Sequence, residues 1–203
     1  MTRWIRSRSW EELASPRRVG AIAALLLIAT GCGSPTSPSA TSACPTGYVS
    51  KGSMSARIDG APWVAKCVTV AINAGGSLYV VGFDDAIDSG HAQGIAFHAA
   101  TTWTSPSPVD LVPGTYPIGG PSSPYGPSSE AYLSVYCTPG QKDLNNLTAC
   151  SGWAAVSNVG GGAITVTILT IQGAAGTFSF DLPPALAATG TRRVTDGAFD
   201  VKF

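Results

Sequence analysis

Residues 164–171 read Ile164-Thr165-Val166-Thr167-Ile168-Leu169-Thr170-Ile171. All but Leu169 are β-branched, side chains that pack well on a pleated surface and lose rotamer freedom in a helix. Apolar and hydroxyl residues alternate through most of the stretch, which predicts a strand with two unlike faces. The same period of two recurs on both sides. Upstream, Met54, Ala56 and Ile58 alternate with Ser53, Ser55, Arg57 and Asp59, followed by strand patterns over 63–72, 78–83, 94–99, 131–137 and 153–157. Downstream come 177–182 and 198–203. Turn-forming residues fill the gaps: Asp59-Gly60, 73–76, 158–162 and Asp196-Gly197. No apolar period of 3.6 follows residue 31, and such short spacings leave no room for crossover helices. The expected fold is all-β: one antiparallel sandwich or partly open barrel of nine to ten strands over residues 50–203.

Composition narrows the classes of function. Lys and Arg total 12, balanced by 12 Asp and Glu, so the basic surplus that a nucleic acid demands is missing. Hydrophobic residues make up 44% of the 203, too many for a chain that stays disordered.

The charge balance is uneven along the chain. Residues 1–31 hold five arginines against two glutamates, followed by an apolar run over 19–29. A basic start and a short apolar run form an export signal, whereas a spanning helix needs about twenty apolar residues. The pair Arg17-Arg18 lacks the rest of a twin-arginine motif and reads as ordinary leader charge. The run ends in Ala29-Thr30-Gly31-Cys32, which resembles the lipobox of bacterial lipoproteins; Ala29 departs from the usual Leu. The resemblance implies that Cys32 is lipidated, becomes the mature N-terminus and makes the membrane a partner. Gly33 is not the Asp that retains such proteins at an inner membrane, so in a cell with two membranes the outer one is expected. Residues 32–49 then form a tether: eight of the ten residues 33–42 are Ser, Thr or Pro, too polar to offset the entropy of ordering.

Four further cysteines remain: Cys44, Cys67, Cys137 and Cys150. An even number in an exported chain predicts two disulfides. Cys137 and Cys150 flank a turn-rich insert and are expected to close it, leaving Cys44 for Cys67. No C-x-x-C pair supports zinc.

Residues 104–128 break the strand rhythm with seven prolines. Loops this long are uncommon and often functional. A short strand is possible over 111–116. Trp103, Tyr116 and Tyr125 lie in or beside this segment, where aromatic rings serve either to stack on a ligand or to pack the loop onto the sheet. If they bind, the near absence of charge suits a carbohydrate or an envelope protein.

Several short motifs carry a resemblance: Ile58-Asp59-Gly60-Ala61-Pro62-Trp63, Pro113-Gly114-Thr115-Tyr116, Gly176-Thr177-Phe178-Ser179-Phe180 and Thr195-Asp196-Gly197-Ala198-Phe199. In this order they resemble a family of small all-β bacterial lipoproteins of unknown function. The resemblance implies an exported β domain and supplies no catalytic residue. Trp63, Phe178, Phe180 and Phe199 read as core or turn-packing rings.

Signatures of catalysis are missing: there is no G-x-S-x-G elbow, H-E-x-x-H or phosphate loop. His98 reads as a structural histidine within a strand. Asp84, Asp85, Asp88 and His91 form the best polar cluster. They lack the alternating spacing of a calcium loop and read first as a hairpin turn, with metal binding the weaker reading. No cofactor is expected. The chain is read as a non-catalytic envelope lipoprotein that binds a ligand or partner, with a structural accessory as the alternative and a hydrolase a more distant one.

Overall fold

A computed structural model describes residues 44, 48–73, 77–86, 89–101, 110–120, 129–137 and 149–203. The expectations for the leader, for most of the tether, and for Cys32, Asp88, Trp103 and Tyr125 lie outside these residues.

Alternation becomes structure in eleven strands: β1 (Gly52–Ile58), β2 (Ala61–Val64), β3 (Cys67–Asn73), β4 (Ser77–Phe83), β5 (Gln93–Ala100), β6 (Gly114–Ile118), β7 (Glu130–Tyr136), β8 (Ala149–Ala155), β9 (Gly161–Thr170), β10 (Gly173–Leu182) and β11 (Arg192–Lys202). They form a six-stranded sheet, β2-β1-β11-β10-β9-β6, and a five-stranded sheet, β3-β4-β5-β7-β8. Every pairing is antiparallel. The two sheets pack as a sandwich, and no α-helix occurs among the described residues. The core holds Val80, Ile95, Phe97 and Leu133 from one sheet, and Ile164, Phe178, Phe180 and Phe199 from the other.

Three expectations are corrected. The predicted strand over 63–72 is two strands, because Ala65 and Lys66 carry the chain from the edge of one sheet to the edge of the other. Their N–H groups donate to Met54 O at 2.9 Å and to Phe83 O at 2.7 Å, one carbonyl in each sheet. Asp196-Gly197, read as a turn before a last strand, is a bulge inside β11. Thr195 faces Arg57 and Ala198 faces Ser55, so three steps on β11 oppose two on β1. Asp196 takes the left-handed φ of 51° that lets the ladder continue past the extra residue. The strand count is therefore eleven rather than nine or ten.

Asp59-Gly60 is the tight turn expected. Both residues have positive φ, 50° and 85°, and Ile58 pairs with Ala61 across them. This backbone matches the twist of a two-residue hairpin.

The sheet edges are managed individually. Pro62 and Pro117 interrupt the outer strands β2 and β6, where a proline removes a donor that another chain would need. The outer edge of β8 is occupied by residues 183–186: Gly152 N–H donates to Leu186 O and Ala185 N–H donates to Gly152 O, both at 2.8 Å.

Candidate functional site

Strand alternation gives the five-stranded sheet an inner face of Leu78, Val80, Ile95, Phe97 and Leu133, all buried. The residues between them point away from the core. The register lines three of them in a row, with Tyr79 opposite His98 and His98 opposite Glu130. In the next row Val81 faces Ala96, which faces Tyr132. Two tyrosines, a histidine and a glutamate thus gather on one outer face from three strands.

Contacts within the group are specific. The Tyr132 hydroxyl donates to Glu130 Oε2 at 2.5 Å. The Tyr79 and His98 rings lie 6.5 Å apart at a tilt of 58°. Burial pushes the Tyr132 phenol well above its ordinary value, and the hydrogen bond and charge of Glu130 push it further. Burial, then the charges of Tyr136 and Glu130, raise Tyr79 as well. Both phenols therefore keep their protons at neutral pH and act as neutral hydrogen-bonding groups. Tyr79 remains 38% exposed, enough to offer part of its ring to a ligand.

The long segment between Ala100 and Glu130 leaves and re-enters the sheet beside this row. Ser129 closes its base: the buried hydroxyl accepts from Ala100 N–H at 3.1 Å and donates to Ala100 O at 3.2 Å. Trp103 and Tyr125 belong to this segment but lie outside the described residues.

Tyr116 is a correction. It was a ligand-binding candidate, yet it is only 8% exposed and belongs to the main core. Its hydroxyl donates to Val112 O and accepts from Val112 N–H at 3.1 Å. The ring is on the inner face of β6, opposite the core residue Ile164, so it packs the segment onto the sheet.

Asp84, Asp85 and His91 sit in the β4–β5 hairpin connection. Asp85 bonds Lys66 Nζ at 3.4 Å, His91 Nε2 at 3.2 Å and Ala86 N–H at 2.8 Å. The Ala86 N–H, then the Lys66 and His91 charges, hold the Asp85 carboxyl below its ordinary value. Asp84 Oδ1 accepts from Gln93 N–H at 2.7 Å. Among the described residues no three His, Cys, Asp or Glu are placed to hold a metal ion.

The cysteines pair as the spacing predicts. Cys44 joins Cys67 and Cys137 joins Cys150, with Cα separations of 4.9 and 5.7 Å. The first pair packs with Phe83, Val81 and Tyr136 in a small second core outside the five-stranded sheet. The tether thus enters the domain pinned to the end of that sheet formed by Cys67, Phe83 and Gly94, which is opposite the end where residues 101–129 leave it.

His98, read from the sequence as a structural histidine within a strand, is on the outer face of β5. Tyr79, Glu130 and Tyr132 were missed as a group. The available signal was an aromatic out of phase with its strand, as in Leu78-Tyr79-Val80 and Ala131-Tyr132-Leu133.

Compared with family models, curated proteins and solved structures, the chain matches none.

Proposed function

We propose that this protein is a non-catalytic binding domain, held at the cell envelope by lipid on Cys32, that takes a carbohydrate on the outer face of its five-stranded sheet. The observation that carries the reading is the row of Tyr79, His98 and Glu130 with Tyr132 hydrogen-bonded to Glu130. Aromatic rings stack on the C–H faces of a sugar, while the phenols, imidazole and carboxylate exchange hydrogen bonds with its hydroxyls. Two disulfides support an oxidising, exported setting. Attachment of the tether at the far end of the sheet supports a binding face directed away from the membrane. Eleven residues separate Cys32 from Cys44, and the twelve steps between the two cysteines reach at most about 43 Å.

Two predictions test this reading. On a glycan array, protein extracted in detergent is expected to bind, and Tyr79→Ala to weaken binding about tenfold, near the value of one aromatic contact. Its melting temperature should stay within a few degrees, because the ring lies outside the core. Binding that is absent, or unchanged in Tyr79→Ala and Tyr132→Ala alike, would remove the site. For the anchor, radiolabelled palmitate should enter the wild type and not Cys32→Ala. Equal labelling of both would defeat it.

A further inference from the structure

Six large apolar side chains stand exposed at one end of the six-stranded sheet. Ile171 tops the β9–β10 hairpin and is 96% exposed, with Ile168 just before it on the outer face. Phe203 follows β11, Tyr48 and Val49 lead into β1, and Val112 leads into β6. Pairing gathers these positions at one end. Gly52 faces Val201, Gly173 faces both Lys202 and Thr170, and Gly114 faces Val166. Lys202 N–H donates to Lys51 O at 2.6 Å, and Phe203 N–H donates to Gln172 O at 3.1 Å.

An apolar residue exposed singly is ordinary, whereas a gathered set marks a surface that meets something apolar. The opposite end of the same sheet is built differently. There Arg192 pairs with Asp59 at 2.6 Å and Arg193 with Asp181 at 2.9 Å, as suits an end that stays in water.

Two observations name the occupant. The first is where the tether meets the domain. Cys44 is joined to Cys67, Val68 N–H donates to Ser50 Oγ at 3.1 Å, and Lys51 N–H donates to Val68 O at 2.8 Å. The segment that runs back to Cys32 therefore departs beside the apolar end and keeps it within a tether's length of a membrane. The second observation is charge. Lys51 and Lys202 are exposed on the rim of the apolar set, and among the described residues neither pairs with a carboxylate. The nearest acidic residue along β11 is Asp200, placed opposite Ser53. Protruding apolar side chains rimmed by ammonium groups match the acyl chains and anionic phosphates of a phospholipid surface. Tyr48, with an apolar ring and a polar hydroxyl, suits the boundary between them. A second copy of this chain docked about a two-fold axis would bring the same lysines together, which disfavours it as the occupant.

We infer that the end of the six-stranded sheet carrying Ile171 is a membrane-contact tip: Ile171, Phe203 and Val49 enter the interfacial region of a phospholipid bilayer while Lys51 and Lys202 meet its phosphates. The inference adds a contact made by the protein itself to the lipid proposed on Cys32, and so fixes which end of the domain rests on the membrane. A tether alone leaves that orientation free. The Tyr79 row belongs to the other sheet and takes no part in the contact.

The test reads depth. The full chain carrying Ile171→Trp is reconstituted into vesicles of phosphatidylethanolamine with phosphatidylglycerol as the minor component, some of the lipid brominated on its upper acyl chain. Ile171 makes almost no contact with the fold, so the substitution leaves the core intact. Leu186→Trp is the control: Leu186 is 54% exposed and follows the opposite end of β10, against β8. Beyond the wild-type signal, the indole at 171 is expected to shift to the blue and to lose fluorescence to brominated lipid, and the indole at 186 to do neither. Lys51→Gln with Lys202→Gln should lower the ratio of docked to free tip on the order of tenfold, the joint effect of two lysines at an anionic surface. Palmitate labelling reports the anchor by itself and quenching at 171 reports the tip, so failure of either is told from failure of the other. The inference is overturned by an absence of added quenching at 171, or by equal quenching at 171 and 186. It is overturned equally by a blue shift at 171 that grows with protein density and ignores brominated lipid, as a second copy of this chain would give.

Discussion

Phe97→Ala is expected to destabilise the domain by about 3–5 kcal/mol, the range for removing a fully buried aromatic ring. Phe97 is on the inner face of β5 and is 0% exposed. Its ring centroid stands 5.2 Å from Phe178, 6.4 Å from Phe180 and 5.1 Å from Phe199. The last three rings all come from the six-stranded sheet, so this one side chain bridges the two layers. A domain has only about 5–15 kcal/mol of net stability to lose, and the melting temperature should fall by on the order of 10 °C or more. Urea unfolding of Phe97→Ala beside Tyr79→Ala gives the comparison, one ring facing into the sandwich and the other facing out. A loss below about 1 kcal/mol for Phe97→Ala would mean that the aromatic bridge does not hold the sheets together.

The second large effect belongs to the tether disulfide. Cys44 and Cys67 are separated by 23 positions, for which the chain-entropy model gives about 3 kcal/mol. Cys137 and Cys150, 13 positions apart, give nearly the same value because the dependence on loop length is logarithmic. Packing separates the two pairs. Cys67 is fully buried beside Phe83 in the small second core, whereas Cys137 is exposed. The Phe83 and Tyr136 rings meet edge-on there at 5.8 Å. Replacing both Cys44 and Cys67 with Ala should therefore cost more than replacing Cys137 and Cys150, with a fall in melting temperature on the order of 10 °C. Calorimetry of the two double variants checks this, and equal losses would show that the second core contributes nothing beyond loop closure.

Some features depended on local chemistry alone and were legible at once. The period of two predicted strands, Asp59-Gly60 predicted a tight hairpin, and the cysteine spacing predicted both disulfides. Each of these is decided by residues close in sequence, or by a count small enough to leave few choices.

The rest required long-range register. In β9, Ile164, Val166 and Ile168 share one parity, so a uniform strand would bury all three. Ile164 and Val166 are buried, yet Ile168 is 56% exposed. The cause is a bulge: Val166 pairs with Gly176 and Ile168 with Ala175, leaving Thr167 as the extra residue. One added residue reverses the facing of everything beyond it, and Leu169 packs against the core instead. The same limit governs Tyr116: its place in a proline-rich segment left ligand stacking and packing onto the sheet both open, and only the register turns its ring inward against Ile164.

The candidate site shows the limit most plainly. Positions 79, 98, 130 and 132 become neighbours only because β4, β5 and β7 lie side by side, with a long excursion carrying β6 to the other sheet between β5 and β7. Trp63 is similar: its sequence context predicts a buried ring, but the lack of an acceptor for its N–H among the described residues depends on what two separate sheets place around it. Sequence alone determined that this chain alternates, that Asp59-Gly60 turns tightly and that four cysteines suffice for two disulfides, because those properties are local or a matter of counting. Tertiary structure alone decided which face of each strand looks outward and which polar groups meet there, because a period of two marks two faces without saying which one the core will cover.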